Sequence, residues 1–116
     1  MSITVFLSKA IICFASVCHP VLVGKDTPVG EFQLIKRHVV SAGYGGTVLQ
    51  FDETDTAVYS VHRVWLGNPK QRRLERLHSD KVEDRITITN GCINVMPDVY
   101  DLLEVKFSGE KIRIVK

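Results

Sequence analysis

Cysteine is scarce in this chain, with three residues in 116. An odd number cannot pair completely, and Cys13 and Cys18 lack the CxxC or Cys/His spacing of a zinc site. Neither a disulfide framework nor a bound metal is therefore expected. Cys13 reads as a small buried hydrophobe. Cys18 beside His19 is a weak metal hint, because neighbours on a strand point to opposite faces. Long apolar runs are missing too: none reaches the roughly 18 residues of a membrane-spanning helix, so stable membrane insertion is not expected. Charge of one sign is also lacking. Fifteen Lys and Arg against thirteen Asp and Glu leave a formal charge of +2, too small for the electrostatic footprint of a nucleic-acid binder. No low-complexity segment or like-charge block marks a disordered tail.

What is present fits one folded unit. A hydrophobic content of 45% with 24% charged residues is that of an ordinary globular protein, and the length suits a single domain over residues 1–116, expected to be monomeric. Lys9 followed by "AIICFASVC" imitates a secretory signal. However, the apolar run begins earlier, in "ITVFL", and a cleavage near residues 15–18 would remove two strands. The expectation is a retained N-terminus and a cytoplasmic location, with a periplasmic or exported one as the alternative.

"SITVFL" and "AIICFASV" are rich in β-branched and aromatic residues and read as strands. Glycines and prolines punctuate "VLVGKDTPVGEFQLIKR" into further short runs, in which Phe32, Leu34 and Lys36 would share a face. "SAGYGGTVLQF" places three glycines before another strand, and "TAVYSVHRVWL" has the two-sided apolar pattern of a central strand. Asn68 can cap a short helix over about residues 69–78 with Pro69 at its first position. "RITIT" reads as a strand leading into Gly91 and Cys92. Pro97 opens a second helix, "PDVYDLL", and two last strands, "EVKF" and "KIRIVK", turn at Ser108 and Gly109. The sum is a mainly-β sandwich or barrel-like sheet with two short helices.

The chemistry concentrates at "TNGCIN", residues 89–94. A thiol becomes a nucleophile as thiolate, with help from a histidine, a helix N-terminus or a cation. The immediate neighbours of Cys92 carry no charge, so a histidine distant in sequence must serve as base. Gly91 allows a tight bend that brings amide groups, with that of Cys92, toward a reacting carbonyl. A buried structural cysteine is the competing reading.

Together with "GKDTPVGEFQLIK", the "TNGCIN" segment resembles the motifs of the L,D-transpeptidase (YkuD-like) catalytic domain, in the same order along the chain. The resemblance implies that Cys92 is the nucleophile, in an acyl transfer that releases the terminal D-alanine of a peptidoglycan stem tetrapeptide. Transfer to an amine gives a crosslink and transfer to water gives L,D-carboxypeptidase activity; no cofactor is implied. Asn90 stands where the family usually has a histidine. His62 and His78 both lie upstream as candidate bases; the strand context "YSVHRVW" favours His62, with residues 68–80 as a helical insertion. Thr89, Asn90 and Asn94 become candidate substrate contacts. The anionic tetrapeptide gives Arg72, Arg73 and Arg85 a binding role, and Tyr44, between glycines, would line the groove. Two alternatives stand beside this: a non-catalytic peptide-binding module on the same sheet, and a Cys/His metal site.

Overall fold

The structure, a computed structural model, describes residues 2–116. Its first sheet contains β1 (Ile3–Phe6), β2 (Ile11–Phe14), β3 (Val17–Pro20), β4 (Gly30–Gln33) and β9 (Lys111–Val115), in the order β3-β2-β1-β9-β4. The second contains β5 (Ile35–His38), β6 (Thr47–Glu53), β7 (Val58–Arg63) and β8 (Ile93–Val95), in that order. Two short helices, α1 (Arg73–Leu77) and α2 (Pro97–Phe107), complete a mainly-β fold.

Alternation explains the core. Ile3, Val5, Ile12, Phe14, Ile112 and Ile114 of the first sheet cluster with Leu49, Phe51, Val61, Ile93 and Val95 of the second. Each full burial of such a side chain contributes roughly 1.5–3 kcal/mol. Helix α2 adds Val99, Leu103 and Phe107 at four-residue spacing, one apolar stripe. That stripe corrects the expectation of a strand at "EVKF": Phe107 is the last contact of a continuous eleven-residue helix.

Three further expectations change. The strand expected at "RITIT" is absent; the ladder forms after the cysteine, where Ile93–Val95 runs parallel to β7. Residues 86–89 instead lie along the Val23 segment, whose carbonyl accepts from the Ile88 and Thr89 amides at 3.2 and 3.3 Å. Phe32 and Lys36 do not share a face, because the chain passes from one sheet to the other at the buried Leu34. The helix expected over 69–78 forms as a tight turn, Pro69–Gln71, and then α1, separated by Arg72 at φ +52°. Asn68 caps it as expected, accepting from the Lys70 amide at 3.1 Å.

Cys13 and Cys18 form a disulfide, where no disulfide framework was expected and Cys13 read as a small buried hydrophobe. Ala15 and Ser16, both at positive φ, make a two-residue hairpin turn that sets these cysteines opposite each other on β2 and β3. Reading residues 10–17 as one strand hid that turn, because it carries none of the usual Gly or Asn signals. Residues 3–20 supply three adjacent strands of the first sheet. No helix among the described residues is long and apolar enough to cross a membrane.

Candidate active site

Cys92 stands at the start of β8, on a turn built by three residues. Gly91 adopts φ +123°, a region that side chains other than glycine avoid. The Thr89 hydroxyl accepts from the Gly91 amide at 3.1 Å and donates to the Cys92 carbonyl at 2.7 Å, closing the turn on both sides. The Tyr59 ring blocks the remaining space: a Cβ at Gly91 would lie 2.3 Å from Tyr59 Cε1. Gly91→Ala is therefore expected to destabilise the fold by roughly 2–4 kcal/mol, from backbone strain and overpacking together. Urea unfolding measures that loss, and a variant within 0.5 kcal/mol of wild type would show that the turn relaxes freely.

Parallel pairing brings histidine and cysteine to one place. Val61 lies beside Ile93 and His62 beside Asn94, so Cys92 falls next to Ser60. Residues 60 and 62 share a face, and Cys92 shares it with them. Cys92, Ser60 and His62 accordingly line one cavity of about 440 Å³, with Arg37, Val48 and Tyr44 among its other walls. A second cavity of about 180 Å³, lined by Tyr44, Trp65, Arg73, Thr89, Asn90 and Cys92, meets the first at the cysteine and Tyr44. The thiol thus faces two clefts.

His62 is fixed in orientation. Its Nδ1 lies 2.6 Å from the Arg63 carbonyl, which can only accept, so Nδ1 carries the proton and Nε2 keeps its lone pair. The Tyr44 ring meets the imidazole edge-on with centroids 4.8 Å apart. Burial pulls the His62 pKa down to about 4, against the Arg63 carbonyl, which raises it; the charge of Arg73 lowers it further. Burial likewise pushes the Cys92 thiol up, while the Ser60 amide and Arg73 act in the opposite sense. At neutral pH the pair is therefore an uncharged thiol and an uncharged imidazole. The S–H donates to the Val58 carbonyl at 3.7 Å. Cys92 and His62 therefore do not form a resting ion pair.

The other sequence-derived candidates divide. Tyr44 lines both clefts, and Arg73 and the exposed Asn90 line the smaller one. Arg73 lies over the Trp65 ring, 5.0 Å from its centroid, and donates to Asn94 Oδ1 at 3.1 Å. Asn94 is fully buried and lines neither cleft; its Oδ1 also accepts from the Trp65 amide at 3.1 Å, so it anchors the smaller cleft's wall from behind. Thr89 spends its hydroxyl on the turn. Gly91 is held there too, its amide taken by Thr89. Arg72 is not at the site: it is exposed, pairs with Glu75 and lines a cavity on the outer side of α1. Arg85 is not at the site either. It is buried, and its guanidinium donates to the carbonyls of Lys9, Ala10 and Ser79, tying α1's loop to the first hairpin. His78 is exposed at the end of α1, outside both clefts. Among the described residues, no three His, Cys, Asp or Glu side chains converge as metal ligands would.

Two contributors were missed from the sequence. Arg63, next to His62, points to the opposite face. There it stacks on Tyr100 at 4.3 Å, pairs with Asp101 at 3.0 Å and donates to the Tyr44 and Gly45 carbonyls at 3.4 Å. It holds the glycine-rich loop so that Tyr44 meets His62, and the cluster of glycines around Tyr44 was the only available signal. Arg37, on the edge strand β5, lines the larger cleft; nothing in its local sequence marks it.

No protein-family model matches the chain, and no curated protein matches it. Solved structures do. An L,D-transpeptidase of Enterococcus faecium, solved as a cysteine-to-serine variant, superposes with a TM-score of 0.68 at 16% identity, covering 98% of this chain and 49% of that one. An L,D-transpeptidase from Mycobacterium smegmatis gives 0.60 at 20% identity, over 98% and 58%. L,D-transpeptidase 1 of Mycobacterium tuberculosis gives 0.60 at 16% identity, over 99% and 61%. The chain thus spans about half to three-fifths of the structures it matches. At such identities the likeness is one of fold: this two-sheet architecture is the one found in solved L,D-transpeptidases.

Proposed function

We propose that the chain performs cysteine-dependent acyl transfer on peptidoglycan stem tetrapeptides. The observation that carries this reading is the Gly91 turn, which presents Cys92 to a cleft that also contains an oriented His62, in a fold shared with L,D-transpeptidases. Nε2 of His62 takes the thiol proton as Sγ attacks the carbonyl of the diamino acid. The negative charge that develops on the carbonyl oxygen is received by the Cys92 amide. His62 returns the proton to the departing D-alanine nitrogen, the C–N bond breaks and a thioester remains on Cys92. A side-chain amine of a second stem gives a crosslink; water gives the shortened peptide. Arg73, beside Cys92 in the smaller cleft, supplies the positive charge for the carboxylate next to the scissile bond.

Two residual points follow the same reading. The Cys13–Cys18 bridge supports an oxidising compartment, periplasmic or exported, over the cytoplasmic location expected from the sequence. The raised Cys92 thiol, bonded to the Val58 carbonyl, is the observation that favours a non-catalytic peptide-binding module. Incubation with tetrapeptide separates the two. Catalysis predicts loss of D-alanine by mass, with either a tripeptide or a crosslinked dimer as the second product. Folded protein that binds the peptide and releases nothing would establish the binding module.

A further inference from the structure

Arg37 has no role in the chemistry above, yet it faces the same sheet surface as the reacting pair. It pairs with Val48 on β6. Leu49 lies beside Val61, which sets Val48 beside His62. Arg37, Val48 and His62 therefore form one row across three strands, with about two strand spacings, roughly 10 Å, between the first and last backbones. Arg37, Val48 and His62 all line the larger cleft, and His38 and Val39 continue its wall beyond Arg37. Neither cleft is lined by Asp or Glu. Arg37 is exposed and, among the described residues, has no salt bridge and no side-chain hydrogen bond; Arg63, Arg72, Arg73, Arg76 and Arg85 all have polar partners, and Arg113, which like Arg37 has none, lines neither cleft. An unpaired guanidinium at one end of an acid-free cleft, with the thiol at the other, is suited to a carboxylate on the molecule that the thiol attacks.

We propose that Arg37 is a specificity-determining residue that recognises a carboxylate on the acyl donor, remote from the scissile carbonyl and distinct from the carboxylate beside Arg73. This rests on the acyl-transfer reading and names its substrate more narrowly: a donor whose diamino acid carries a free side-chain carboxylate, over one in which that group is amidated.

The test uses two readouts on wild type, Arg37→Gln and Lys36→Gln. Lys36 is one residue away, pairs with Leu49 and loses the same charge, but lies on the other face of the strand. The first readout is alkylation of Cys92, the free thiol, by N-iodoacetyl-4-aminobutanoate and by its uncharged carboxamide. The Sγ–C bond forms, iodide leaves and the thiol proton passes to solvent. Wild type and Lys36→Gln should react roughly tenfold faster with the carboxylate probe than with the amide, and Arg37→Gln should lose that preference. Absence of a preference in wild type, or its survival in Arg37→Gln, overturns the proposal. The second readout is turnover of carboxylate and amidated donors: Arg37→Gln should raise KM about tenfold for the former alone, with kcat retained. An equal rise for both donors also overturns it. If neither donor turns over in wild type but the alkylation preference behaves as stated, the acyl-transfer reading fails and the anion site stands.

Discussion

Cys92→Ala is expected to reduce D-alanine release from the tetrapeptide by a thousandfold or more, about the scale lost when a covalent nucleophile is removed from a working site. The fold should survive. The side chain is only partly buried and its sulfur makes only weak contacts, with the Val58 carbonyl at 3.7 Å and the Ser60 amide, so the unfolding free energy should move by no more than about 1 kcal/mol. The separation matters because Gly91, Thr89 and Tyr59 build the turn without help from the sulfur. Activity assay and urea unfolding on the same preparation check both halves. Turnover within tenfold of wild type would remove the sulfur from the mechanism, whatever the stability.

His62→Gln is expected to cost a hundredfold to ten-thousandfold in kcat/KM, roughly what a positioned general base contributes. Its pH dependence is more distinctive than its size. With burial holding the imidazole at about 4, wild-type kcat/KM should rise through that region, stay level across neutral pH and fall only above the ordinary thiol range, where Cys92 ionises. A histidine near its usual value would put the rising limb between pH 6 and 7. Stability carries the same signature. Between about pH 6.5 and pH 4 the unfolded chain binds a proton at position 62 that the folded chain does not. Acidification through that window therefore weakens the fold, by roughly 3 kcal/mol at most, and the contribution is complete above pH 6.5. His62→Gln should flatten that part of the profile. Urea unfolding at pH 7 and pH 4.5 measures it, and parallel losses in wild type and variant would contradict a buried neutral imidazole.

The two-sheet architecture was legible because alternation survives in the inner strands: Ile3 and Val5, Ile112 and Ile114, Leu49 and Phe51 all point to one core. That Cys92 and His62 come to one cleft was legible for a different reason. A glycine before a cysteine marks a turn, and the strand around His62 carries its side chain to a fixed face. What escaped depended on partners distant in the chain. Arg85, a cation shortly before the cysteine turn, looks like a substrate contact, but its destination is set by the carbonyls of Lys9, Ala10 and Ser79. Asn94 lies two residues after Cys92 and looks like a contact, yet the Trp65 amide and Arg73 claim its oxygen. Arg37 reaches the cleft only through the β5–β6 and β6–β7 registers, and Cys18 meets Cys13 only through a turn with no glycine. Local composition specifies neither register nor partner.

The most direct test is to incubate folded protein with a carbapenem, quench, digest and locate any adduct by mass. Attack by Cys92 opens the lactam and adds the whole mass of the compound to the peptide containing residue 92. The site described here predicts that single adduct, formed much more slowly in His62→Gln and absent in Cys92→Ala. An adduct on another residue, or none on folded wild-type protein, would contradict it.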